Sequence, residues 1–205
     1  MSAITREEQA LLKLKQARHW IDFLTTAVTQ HCNIVIAGKT GSGKTTLARS
    51  LIELIPHHER LITIEDVHEL VLPNHPDKVH LLFGDNKGRM SAEACLSACM
   101  RLSPDRILLA ELRGSEAWDY VTSLNTGHPG SITTTHANSA RHTLDRIATL
   151  IKQSPIGQTL ELPTILRVLH QTIDVVIYLN DYQVHEIYYD PLAVKSLTTQ
   201  PTQGT

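Results

Sequence analysis

The sequence predicts an α/β fold, a mostly parallel sheet flanked by helices with a small C-terminal helical and hairpin appendage. Three observations support it. Apolar runs of strand length alternate with amphipathic helical stretches, the pattern of a parallel sheet covered on both faces. One run, 34–37, feeds the loop Gly38-Lys39-Thr40-Gly41-Ser42-Gly43-Lys44-Thr45-Thr46, which opens into an apolar helix. Charged residues directly follow three other strand runs, where ligands gather in such sheets.

The elements follow in order. Thr5 and Glu8 form a capping-box signature, and Leu11, Leu14, Ile21, Leu24 and Val28 continue a helical pattern, so one helix is expected to reach about His31. After the first strand, Leu47, Leu51, Ile52 and Ile55 mark the helix that leaves the loop. Strand-like runs at 61–64 and 79–83 precede a helix over about 91–102. A strand at 106–110, a helix at 115–124, a strand at 131–135 and helices at 139–152 and 158–170 come next, before a hairpin of 174–179 and 184–189. This order divides the chain into a linker-like N-terminal helix (1–31), a nucleotide-binding core (32–154) and a C-terminal appendage of the same domain (155–197). The polar tail, 198–205, with Pro201 and Gly204, is expected to be disordered.

The 205 residues, 41% of them hydrophobic, suffice for one substantial core. Nineteen basic against 21 acidic residues argue against a general polyanion-binding surface, so no sequence-specific nucleic-acid binding is expected. Cys32, Cys95 and Cys99 form no C-x-x-C pair and fit a reducing compartment; Cys95 and Cys99 share a helix face and read as core packing. No apolar run approaches a membrane span and the N-terminus lacks a leader pattern, so a cytosolic chain is expected.

The loop has the composition of a phosphate cradle. Gly38, Gly41 and Gly43 permit backbone angles that turn successive N–H groups inward, flanked by Thr40, Ser42 and Thr46. Lys44 would bring an ammonium to the terminal phosphates and Thr45 a hydroxyl to Mg²⁺. The residues after the other strands complete the chemistry. Glu65-Asp66 ends the run 61–64, Glu111 ends 107–110 and His136 ends 131–135. Phosphoryl transfer needs a metal, a carboxylate that orients or deprotonates water, and cations for the transition state. Glu111 is assigned to the metal-water shell and to activation of the attacking water, with Glu65 the other candidate base. Among Arg101, Arg106 and Arg113, a phosphate role is favoured for Arg101 and Arg113, against ion pairs with Asp105 or Glu116. His128 and His136 lack a third ligand at zinc-like spacing, and His136 reads as a neutral imidazole reporting γ-phosphate occupancy.

Taken together these motifs resemble the traffic ATPases of type IV secretion and conjugation, within the wider group that also drives type II secretion and type IV pili. The phosphate loop matches GKTGSGKTT, the acidic box resembles ITIEDVHEL (62–70), the atypical second acidic segment resembles RLSPDRILLAELRG (101–114), and the histidine box resembles TGHPGSITTTHANS (126–139). The absence of C-x-x-C and the ending EIYYDPLAVKSL (186–197) favour the type IV secretion branch over type II motors. The resemblance implies a RecA-type P-loop NTPase, ATP and Mg²⁺ as ligands, a homohexameric ring, and peripheral placement at the cytoplasmic face of the bacterial inner membrane. Secretion-channel proteins and a coupling ATPase are the implied partners. Family members usually carry an additional N-terminal domain that helps bind nucleotide and contributes arginines. This chain begins in what resembles the preceding linker helix, implying a nucleotide site short of those groups. Two other readings stay open: a nucleotide-binding assembly module with little hydrolysis, and a pilus retraction motor.

Overall fold

The structure, a computed structural model, describes residues 4–84 and 89–198. Helix α1 (Arg6–Gln16) opens on the expected capping box, with Thr5 and Glu8 exchanging side-chain-to-backbone hydrogen bonds. The single helix expected up to His31 is instead two. Arg18 adopts φ 57°, and the N–H groups of Arg18 and His19 close on the carbonyls of Lys15 and Leu14, which ends the helix. Helix α2 (Trp20–Thr29) then packs back on α1 and ends in the same way, with His31 at φ 57° and the Cys32 N–H on the Ala27 carbonyl. Neither stop uses glycine or proline, so the apolar periodicity ran through the break unmarked.

Among the described residues seven strands follow: β1 (Ile34–Gly38), β2 (Leu61–Glu65), β3 (Lys78–Leu82), β4 (Arg106–Leu109), β5 (Ile132–Thr135), β6 (Val175–Asn180) and β7 (Gln183–Tyr188). They form two hydrogen-bonded ladders, β3-β2-β4 and β5-β1-β6-β7, parallel throughout except for the closing β6–β7 hairpin. Strands β4 and β5 lie side by side at a seam with one backbone bridge, Leu112 to Thr135. Along it hydroxyls stand in for the missing ladder: Ser131, Thr134 and Thr135 donate to the carbonyls of Ile107, Ala110 and Leu112. The expected single sheet is thus two ladders stitched through a Ser/Thr-rich strand.

Alternation along β1 splits the core in two. Val35 and Ala37 face a cluster shared with α4 (Ala92–Cys99), α5 (Ala117–Leu124), α6 (Ala140–Ile151) and α8 (Leu162–Thr172). Ile34 and Ile36 face a second cluster shared with α1, α2 and α3 (Lys44–Ile52). Cys95 and Cys99 are buried in the first cluster, where burial pushes the Cys99 thiol up to about 11. A short α7 (Pro155–Thr159) precedes α8, and Ile165 and Leu169 of α8 enter that same cluster. Helix α9 (Pro191–Thr198) follows the hairpin and was not foreseen as a separate element. The predicted disorder of 198–205 falls, beyond Thr198, outside the described residues. Among the described residues no helix is long and apolar enough to cross a membrane.

Candidate active site

The phosphate loop leaves β1 and turns tightly against β6. A Cβ on Gly38 would lie 2.5 Å from both the Leu179 carbonyl oxygen and Ser42 Oγ, so only glycine permits this approach. Gly43 stands at φ 93° as the residue before α3, and a Cβ there would meet the Tyr182 ring at 2.9 Å. No side chain caps α3, so the N–H groups of its first turn remain available to an anion. Lys44 is buried and folds back onto the loop, donating to the carbonyls of Gly38 (3.1 Å) and Lys39 (2.9 Å). Burial pushes its ammonium below the ordinary lysine value, with Glu111 pulling the other way.

A cavity of ≈ 280 Å³ opens beside the loop, between Thr40, Gly41, Lys44 and Thr45 on one wall and Glu111, Arg113 and His136 on the other. Glu111 comes two residues past β4 and is the hub of the second wall. Its Oε2 receives Arg113 Nε and Nη2 at 2.7 and 2.6 Å, and its Oε1 lies 2.7 Å from His136 Nε2, just past the end of β5. Arg113 also reaches Asp66 Oδ2 at 2.5 Å. The Glu111 hydrogen bond raises the arginine above its already high ordinary value, so it is a fixed cation. The turn beneath it is held by Glu116, whose Oε1 accepts the N–H groups of Arg113 and Gly114. Thr45 Oγ1 faces Glu69 Oε2 at 3.4 Å across the remaining side.

Not every predicted residue reaches this cleft. Ser42 Oγ is buried behind Gly38, and Thr46 is exposed on α3. Arg101 lies exposed in the turn after α4, ahead of the start of β4, whereas Glu111 lies past that strand's end. Arg106 pairs with Glu59, not with Asp105 or Glu116: Nε and Nη2 reach its two carboxylate oxygens at 2.6 and 3.0 Å inside the protein. His128 and His136 flank opposite ends of β5 and form no metal pair.

Glu65 is fully buried and does not line the cleft. Its Oε1 accepts the N–H groups of Glu69 and Leu70 at 2.8 and 2.6 Å, and its Oε2 accepts Thr63 Oγ1 at 2.7 Å. Burial pushes this carboxyl up, but the Leu70, Thr63 and Glu69 hydrogen bonds outweigh it and hold the group below the usual glutamate value. A carboxylate so engaged braces a turn and is a poor proton acceptor. The neighbours in its motif, Asp66 and Glu69, face the cleft instead. Glu69 was missed by sequence reasoning, and no periodic signal marks it, because it lies past the end of β2. All five residues of β2 are buried, so alternation along the strand does not tell which acidic side chain faces the cleft.

The family described as Type II/IV secretion system protein matches residues 8–181. The Type IV secretion system protein VirB11 of Brucella suis biovar 1 (strain 1330) is 41% identical over 215 residues, covering 99% of this chain and 60% of the relative. The crystal structure of the VirB11 ATPase from the Brucella suis type IV secretion system in complex with sulphate aligns with a TM-score of 0.92 and 43% identity, over 98% of this chain and 61% of that one. The pilus retraction motor PilT with bound ADP aligns at a TM-score of 0.62 and 25% identity, over 82% of this chain and 50% of that one. The chain therefore spans about 60% of the length of this VirB11 relative.

Proposed function

The chain belongs to the type II/IV secretion system protein family, and from that premise we propose that it hydrolyses ATP as the motor domain of a type IV secretion system. One observation carries the reading. Glu111, Arg113 and His136, from the ends of β4 and β5, face Lys44 and Thr45 across a single cleft. The loop N–H groups and the start of α3 would hold the β- and γ-phosphates, and Lys44 would exchange its bonds to the Gly38 and Lys39 carbonyls for the γ-phosphate. The oxygen donors around the cleft, the Thr45 hydroxyl with the carboxylates of Glu111, Asp66 and Glu69, suit Mg²⁺. That ion, when bound, neutralises charge between the two terminal phosphates.

Glu111 would orient the attacking water and accept its proton, with His136 holding the carboxylate in place. Arg113 would swing from Glu111 to the developing negative charge, which at the same time frees Glu111 as a base. Arg101, remote from this cleft, would serve a neighbouring subunit's γ-phosphate in a homohexamer. Docking on inner-membrane channel proteins and a coupling ATPase, at the cytoplasmic face, completes the proposed setting.

Phosphate release from Mg-ATP tests the reading. Lys44→Ala should lose tight nucleotide binding, whereas Glu111→Gln should bind nucleotide and lose turnover by about 10²-fold or more. Normal hydrolysis by both variants would sink the proposal. Binding without turnover by the unaltered chain would favour a nucleotide-dependent assembly module instead.

A further inference from the structure

Outside the nucleotide cleft, two histidines and a carboxylate converge on one point. Glu65 ends β2, His80 lies on the neighbouring strand β3, and His68 comes from the turn that follows β2. Glu65 Oε2 is 3.2 Å from His68 Nδ1 and 3.4 Å from His80 Nδ1, and the three ligand atoms all lie within 4.8 Å of one another. The register explains the meeting. Thr63 pairs with His80 across the parallel ladder, and Thr63 and Glu65 share a face of β2.

We propose that Glu65, His68 and His80 form a binding site for a borderline transition metal of the zinc class, separate from the Mg²⁺ of the nucleotide. The spacing supports it quantitatively. Ligands about 2.0–2.1 Å from a tetrahedral zinc lie about 3.3–3.4 Å apart along each edge, close to the two observed separations. The third edge closes by rotation of His68, whose side chain is 44% exposed. Two imidazoles and one carboxylate select zinc, cobalt or copper over magnesium and calcium, which prefer oxygen. Three protein ligands leave the fourth position to water.

The outer shell is present before any metal arrives. The Glu69 and Leu70 N–H groups fix Glu65 Oε1, and Thr63 Oγ1, 2.7 Å from both Glu65 Oε2 and His80 Nδ1, would keep its bond to Glu65 and yield His80 Nδ1 to the metal. Metal binding displaces protons from the imidazole nitrogens and leaves the Glu65 Oε1 bonds intact. A metal here would tie β2, β3 and the 66–70 turn together. That turn presents Asp66 to Arg113 and Glu69 to Thr45, so the site would set the acidic wall of the cleft from behind.

The test is a titration of the 205-residue chain with cobalt(II) and zinc alone, without nucleotide, followed by visible absorption and equilibrium dialysis. One equivalent should bind with the intense spectrum of tetrahedral cobalt, and zinc should displace it. His68→Ala, at a half-exposed position, should weaken binding at least tenfold while leaving the metal-free unfolding midpoint unchanged. His80→Ala should do the same to binding, and His57→Ala, a control elsewhere, should not. Binding that survives His68→Ala and His80→Ala undiminished, or a weak octahedral cobalt spectrum, would overturn the site. The result does not depend on hydrolysis, so failure here leaves the proposed ATPase activity untouched.

Discussion

Asp174 shows how a single side chain contributes to the pH response of this protein. It sits just before β6, where its Oδ2 accepts the Asn33 N–H at 2.7 Å. Burial pushes its carboxyl up to about 6, against the pull of that hydrogen bond and with the Glu8 charge adding to the rise. The unfolded chain titrates this group near the ordinary value of about 3.9. The folded state therefore holds this proton more tightly, and the contribution of Asp174 to stability is full below pH 4 and declines as the pH rises from about 4 to about 6. Asp174→Asn keeps an oxygen for Asn33 and removes the charge. It should raise stability by about 1–2 kcal/mol at pH 8 and change little at pH 4. Urea unfolding at the two pH values measures this; an equal effect at both would refute it. Arg106 is the contrasting case, a guanidinium buried at the start of β4. It is satisfied by Glu59 and by the carbonyls of Val28 and Gly130, so it ties α2, β4 and the entry to β5 together. Sequence reasoning favoured no phosphate role for it, and its surroundings make it a structural joint.

The β4–β5 seam is where element and site meet, because Glu111 and His136 leave from its two sides. Backbone pairing there is reduced to one bridge, and the carbonyls of Ile107, Ala110 and Leu112 accept the hydroxyls of Ser131, Thr134 and Thr135. Ser131 bonds both the Ile107 carbonyl and the Tyr120 hydroxyl inside the protein. Ser131→Ala should remove both bonds and cost about 1–3 kcal/mol. An unchanged urea midpoint would mean that the seam does not depend on this hydroxyl. The run Ser131-Ile132-Thr133-Thr134-Thr135 was legible as a strand, but its polarity carried no visible reason in sequence. The reason is a neighbour 24 residues earlier in the chain, which periodicity does not reveal. Helix ends show the same limit. Arg18 and His31 take left-handed conformations without glycine, so the stop of each helix depends on the turn that packs after it.

For the molecule as a whole, the proposed ring makes a kinetic prediction. Arg101 is exposed and remote from its own cleft, so a site that needs it must be shared between copies. Phosphate release per molecule should then rise with protein concentration and vanish in Glu111→Gln; a strictly constant specific activity would argue against shared sites. The fold class, the phosphate loop and the placement of Glu111 and His136 after strand ends could all be read directly from the chain. Each rests on local rules: glycines that permit a tight cradle, apolar alternation, and polar residues released where strands stop. The roles of the acidic box could not be read that way. Glu65 and Asp66 are adjacent in sequence, yet one is locked beneath β2 and β3 while the other faces the loop. Which carboxylate meets water and which meets backbone depends on the face of the strand and on the strand beside it. Those long-range contacts form only when the chain packs, and they make Glu65 a brace, Arg106 a joint and Glu111 the centre of the cleft.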